Sequence, residues 1–111
     1  MIKVEIELDE QKIIDDDKYY PDEIMKCLDD AFVRNGQQIL EAEGFRRVYR
    51  DGGNVEKDFA ILGKLILNFS KKKYFLPYTT KILWYNNHNS KDENNFIVED
   101  WLEGFRKRGM I

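Results

Sequence analysis

Ile2, Val4, Ile6 and Leu8 alternate without error with Lys3, Glu5, Glu7 and Asp9. Successive side chains of a β-strand point to opposite faces, so this period of two predicts a half-buried strand with one wholly apolar side. A lone strand is not stable in water, and the rest of the chain must supply both its neighbours and a cover for that side.

The chain has 111 residues. We expect one domain over 1–111, long enough to bury about two thirds of its unfolded surface without metal or disulfide staples. The single cysteine, Cys27, cannot bridge internally, which points to a reducing cytoplasm. Charges interrupt the apolar residues near the N-terminus, unlike a secretory leader. The longest apolar cluster, Phe59 to Phe69, is broken by Gly63, Lys64 and Asn68 and falls short of the ~20 apolar residues of a membrane helix.

Beyond a polar connection at Asp15-Asp16-Asp17, Tyr20-Pro21-Asp22-Glu23 has the chemistry of a helix start: proline costs no hydrogen bond at the first position, and acids there favour the dipole. Ile24, Cys27, Leu28, Ala31 and Phe32 form one apolar stripe that ends at Asn35-Gly36, predicting a helix over about 21–35. Gln37 to Glu43 reads as a further helical turn or two, or as a continuation of that helix. Phe45 to Arg50 is rich in β-formers, and Asp51-Gly52-Gly53-Asn54 reads as a hairpin turn.

The second arm of that hairpin is ambiguous. Leu65, Leu67 and Phe69 alternate as in a strand, whereas Phe59, Leu62, Ile66 and Phe69 fit a helix; Gly63, Asn68 and Ser70 favour the strand. Lys71 to Tyr85 reads as a helix with Pro77 in its first turn, although Thr79, Thr80, Ile82 and Trp84 suit a strand. Asn86 to Asn95 reads as an exposed loop. After an Asn cap near 94 or 95, Val98, Trp101, Leu102 and Phe105 mark a last helix. The expected fold is α+β: a three-stranded antiparallel sheet, in strand-helix-hairpin-helix-helix order, with helices packed on one face.

Catalytic candidates are few. The only histidine, His88, falls in the Asn-rich loop with no nucleophile or orienting acid at a recognisable spacing, and Cys27 falls on the apolar stripe, where a small buried hydrophobe is expected. No Cys/His pair or calcium-loop spacing predicts a metal site, Gly52-Gly53 lacks the rest of a phosphate loop, and we expect neither cofactor nor enzymatic activity.

Charge is segregated along the chain: residues 1–45 hold thirteen acids and five bases, residues 46–90 nine bases and three acids, within a net charge of −3. Two surfaces follow. An acidic one comprises Asp22, Glu23, Asp29 and Asp30 on the first helix, able to imitate phosphates and occupy a basic groove on a nucleic-acid-binding protein, with Tyr74, Phe75, Tyr78 and Trp84 as aromatic anchors. A basic one comprises Arg46, Arg47, Arg50, Lys71, Lys72 and Lys73, the alternative being nucleic-acid binding through phosphate contacts and stacking; the acidic pI near 5.2 weighs against it.

Leu65-Ile66-Leu67-Asn68-Phe69-Ser70-Lys71, and Trp84-Tyr85-Asn86-Asn87 through Asp92 to Val98-Glu99-Asp100-Trp101-Leu102, resemble short uncharacterised proteins associated with mobile elements of Gram-positive bacteria. The resemblance covers about the C-terminal half. It implies an accessory role in managing host defence or gene transfer and brings no catalytic residues. Together these readings describe a small cytoplasmic, non-enzymatic binding or regulatory protein that acts by surface contact with a macromolecular partner.

Overall fold

The strand expected at the N-terminus is present as β1 (Ile2–Leu8) and is the middle strand of an antiparallel sheet. The computed structural model describes residues 1–87 and 96–111. Among them, β2 (Gln38–Glu43), β3 (Arg46–Arg50), β4 (Thr79–Asn86) and β5 (Ile97–Asp100) complete a five-stranded sheet in the order β2-β3-β1-β4-β5. Four helices accompany it: α1 (Glu10–Asp16), α2 (Pro21–Arg34), α3 (Val55–Ser70) and α4 (Trp101–Lys107). The α+β class therefore holds, and the expected three-stranded sheet is corrected to five strands.

Ile2, Val4, Ile6 and Leu8 face the helices as their alternation requires, and one apolar core joins them to Ile13 of α1, Leu28 and Phe32 of α2, Leu62 and Ile66 of α3, and Leu102 and Phe105 of α4. Each such buried side chain contributes about 1.5–3 kcal/mol by leaving water. All four described helices thus cover one face, and the face carrying Lys3, Glu5 and Glu7 is left uncovered. Because β3 and β4 flank β1 on opposite sides, α3 crosses over β1 to connect them.

α2 forms as its sequence demands. Pro21 opens it, Asp22 and Glu23 occupy the first turn, and Ile24, Met25, Leu28 and Phe32 are buried. Cys27 is a correction: the thiol is exposed, because the stripe centres on Ile24, Leu28 and Phe32 and turns position 27 to its margin. Asp15 and Asp16 belong to α1, which Asp9 caps by accepting a hydrogen bond from the Lys12 amide (3.1 Å) and which ends at Asp17.

Two segments exchange identities relative to expectation. Residues 55–70 are helical: Leu62, Leu65, Ile66 and Phe69 are buried at i, i+3, i+4 and i+7, whereas Leu67, part of the apparent strand alternation, is 44% exposed. Asn54 caps α3 by accepting from the Lys57 amide (3.2 Å). Residues 79–86 are a strand: β4 pairs with β1 over its length and with β5 on its other side, and Ile82 and Trp84 alternate into the core. Pro77 lies in a 3-10 turn, Leu76–Tyr78, rather than in the first turn of a helix.

Gln38–Glu43, read as helical, is the edge strand β2, with every residue exposed. Its composition favours helix; the hydrogen-bonding partners offered by β3 override that weak preference. The hairpin is therefore β2-β3, turning at Gly44 with a left-handed φ of 56°. Asp51 to Asn54 instead make a strand-to-helix corner. Asp51 Oδ1 accepts from the Ile2 amide (3.0 Å), and Asp58 accepts from the Gly52 amide (2.8 Å) and from Gln37 Nε2 (3.2 Å). Gly52 is obligatory there because a Cβ would overlap the carbonyl oxygen of Gly36.

At the C-terminal end the expected helix is shorter, because 97–100 pairs with β4 and Asp100 rather than an asparagine caps α4, accepting from the Glu103 amide (3.0 Å). Of the expected loop, Asn86 closes β4 and Asn87 is buried, while His88 and residues 89–95 lie outside the described residues. No described helix is long and apolar enough to cross a membrane.

Candidate protein-binding site

The basic surface dissolves into ion pairs. On the uncovered sheet face Arg46 donates to Glu5 and to Glu41, while Arg50 lies 3.7 Å from Asp51. Arg47 points to the helical side and meets Asp29 of α2 (Nε to Oδ1 3.1 Å). Lys71, Lys72 and Lys73 remain exposed, but they follow α3 in the helical layer, away from Arg46 and Arg50. The two candidate surfaces also share a bond, since Asp29 was assigned to one and Arg47 to the other.

Glu5 sits at the centre of the uncovered face, nearly buried, accepting also from the Tyr85 hydroxyl (3.0 Å), with Lys81 Nζ at 3.7 Å. Burial alone would raise its pKa; hydrogen bonds from Arg46 and Tyr85 and the charges of Arg46 and Lys81 outweigh that and hold it below the ordinary value of 4.5. A carboxylate so held is a poor proton acceptor at neutral pH, and the cluster works as a structural clasp between β1, β3 and β4. A depressed folded pKa stabilises the fold above the unfolded value, and that gain is lost as pH falls through the folded one. Glu5→Gln should therefore melt below the wild type at neutral pH, with the gap closing as pH drops below about 4.5 in paired thermal melts. A gap independent of pH would show that charge at Glu5 contributes nothing.

The aromatic anchors are also corrected. Phe75, Tyr78 and Trp84 are core residues, placed there by the 3-10 turn and the inward positions of β4, so they offer no surface. Tyr74 alone is half-exposed. It packs edge-on against Tyr19 (ring centroids 5.9 Å), which in turn meets Tyr78 at 6.2 Å.

Around this pair the structure makes a cleft of about 210 Å³ lined by Lys18, Tyr19, Tyr20, Glu23, Ile24, Cys27 and Tyr74. A second hollow of about 320 Å³, lined by Ile14, Asp17 and Pro21 as well as Lys18, Tyr19 and Tyr20, adjoins it. Tyr20 stands between the two, 74% exposed, with Ile14 half-exposed beside it. Partial burial, and then the neighbouring Cys27, raise the Tyr74 phenol above its usual pKa, so its hydroxyl stays protonated near pH 7. Of the expected acidic set, Glu23 lines the cleft, Asp22 lies exposed beside it, and Asp30 is exposed farther along α2.

Tyr19 and Ile14 were not singled out from the sequence, Tyr20 was read only as part of a helix start, and Cys27 was expected to be a buried hydrophobe. The available signal was two tyrosines before Pro21, in an acidic connection too polar to bury both rings. Among the described residues no three His, Cys, Asp or Glu side chains converge to hold a metal. Compared with protein-family models, with curated protein sequences and with solved structures, the chain matches none of them.

Proposed function

We propose that this protein acts without catalysis, by capturing a basic segment of a partner protein in the tyrosine cleft formed by residues 18–20, α2 and Tyr74. The observation that carries the reading is the exposed Tyr20 beside the Tyr19–Tyr74 hollow, within a stretch, residues 9–26, that holds seven carboxylates against three lysines. Tyrosine faces attract guanidinium and ammonium groups, exposed aromatics supply contact area at small entropic cost, and a negative surround speeds encounter with a positive partner. Such a partner, a nucleic-acid-binding protein with a basic groove, would be blocked by occupancy, the carboxylates standing where phosphates otherwise lie. The resemblance to mobile-element proteins agrees with an accessory role of this kind, and the free thiol Cys27 agrees with action in the cytoplasm.

The test is titration of a fluorescein-labelled arginine-rich peptide. Asp22→Lys with Glu23→Lys, and separately Tyr20→Ala, should each weaken binding at least about tenfold, or 1.4 kcal/mol; the midpoint should be unchanged in Tyr20→Ala and lowered in the double variant only by the loss of first-turn acids in α2. Wild-type binding should also fall as salt rises. Equal affinity across the three proteins would remove the cleft from the account. Tight binding of labelled DNA or RNA, lost on substituting Lys71, Lys72 and Lys73, would replace it with phosphate contact.

A further inference from the structure

Gly104 lies inside the seven residues of α4, where glycine weakens a helix relative to alanine, and packing within the chain does not call for it. A Cβ at this position would meet nothing within 4 Å, and the backbone is helical, so no left-handed φ requires glycine either. Gly63 differs, since a Cβ there would touch the Trp101 ring at 3.6 Å. Positions 101, 104, 105 and 108 share one side of α4, and with the exposed Leu67 of α3 they line a groove of about 380 Å³. A side chain at 104 would project into this groove. Its absence lets another backbone come close.

The groove carries opposite charges at its two ends. Glu99 and Asp100 stand at one, and Arg108 at the other with the exposed Lys107 beside it. Among the described residues Arg106 pairs with Glu103, whereas Asp100 and Arg108 form no ion pair. We infer that α4 packs antiparallel on α4 of a second copy, about a two-fold axis at Gly104. Reversing a helix about residue 104 sets 100 opposite 108 and 101 opposite 107. Asp100 then meets Arg108 of the second copy and Trp101 meets Lys107 of the second copy, an aromatic ring against a cation, and the symmetry makes each contact twice. No like charges come opposite each other. The charge order of α4 is thus complementary to itself reversed, which is what selects a second copy for the groove, and two glycines at the crossing let the axes approach at the near end of the usual ~8–10 Å.

A helix of seven residues with Leu67 beside it covers less than the ~800 Å² per partner of a stable interface, so the pair is weak and forms only at high concentration. The tyrosine cleft lies elsewhere, since no residue of α4 lines it.

Sedimentation equilibrium of the full chain, from low micromolar to near millimolar concentration, tests this. The wild type should rise from 13.3 kDa toward twice that mass. Gly104→Gln, which puts a side chain on the axis and suits a helix better than glycine, should stay at the single mass with its melting midpoint kept or raised. Arg108→Glu, which sets acid against Asp100, should also stay at the single mass, and Tyr20→Ala should associate as the wild type does. A wild type at single mass throughout overturns the inference, as does a Gly104→Gln chain that associates like the wild type. Should Gly104→Gln fail to fold, Arg108→Glu decides, because its side chain is exposed: loss of association supports the pairing, and wild-type association overturns it.

Discussion

Phe32→Ala should lower the stability of this protein by about 3–5 kcal/mol, the range for removing a fully enclosed phenylalanine from a core. Phe32 has no exposed surface, its ring stacks flat on Tyr49 at 3.9 Å, and Phe69 lies parallel beyond it at 6.3 Å. Alanine leaves a void walled by two aromatic rings from β3 and α3, neither of which can move into it without breaking strand pairing or helix packing. A urea unfolding curve should show an earlier midpoint with the slope retained, because the surface exposed on unfolding hardly changes. A domain with only about 5–15 kcal/mol in hand has little left after this loss. A shift below about 1 kcal/mol would mean that the core collapses around the gap.

Asp29→Ala should cost about 2–4 kcal/mol, although Asp29 is partly exposed and an isolated surface acid would cost almost nothing. The carboxylate accepts from the Tyr49 hydroxyl (2.7 Å) and from Arg47 Nε (3.1 Å), and so ties α2 to β3. Burial first, and then the bond to Asp29, push the Tyr49 phenol far above its ordinary pKa, so it stays a donor that needs an acceptor. Alanine orphans that buried hydroxyl and removes the carboxylate from the guanidinium, which keeps only the carbonyl oxygens of Gly44 and Arg46 as acceptors. Asp29→Asn keeps one acceptor and should recover part of the loss in the same unfolding experiment; a wild-type midpoint for Asp29→Ala would show the bridge to be energetically idle. The functional consequence is practical: reversing charge at Asp29 together with Asp22, Glu23 and Asp30 would damage the fold and mimic loss of binding. The cleft must be tested at Asp22 and Glu23, which contribute only the smaller stabilisation of first-turn acids, about 0.3–1 kcal/mol each.

The two expected surfaces fared differently for one reason. Which acids sit on α2 was legible, because a helix with a clear start and stripe assigns every position to a face. Which arginines are free was not, because Arg46 and Arg47 meet Glu5 and Asp29 only through pairing across strands and packing of helix on sheet. The aromatics failed likewise: Trp84 and Tyr78 look like surface anchors while Lys71 to Tyr85 is read as a helix, and the inward alternation of β4 sends Trp84 into the core.

Local pattern alone determined β1, the span of α2 with its proline start and glycine stop, and the segregation of acids toward the N-terminal half. These follow from side-chain period and capping chemistry, which act over a few residues. Tertiary structure decided that Gln38–Glu43 is a strand, that Val55–Ser70 is a helix and Thr79–Asn86 a strand, and that Tyr19, Tyr20 and Tyr74 share a cleft. In each case intrinsic preferences are worth less than about 1 kcal/mol per residue, and hydrogen bonds to an existing strand or burial against an existing core outweigh them.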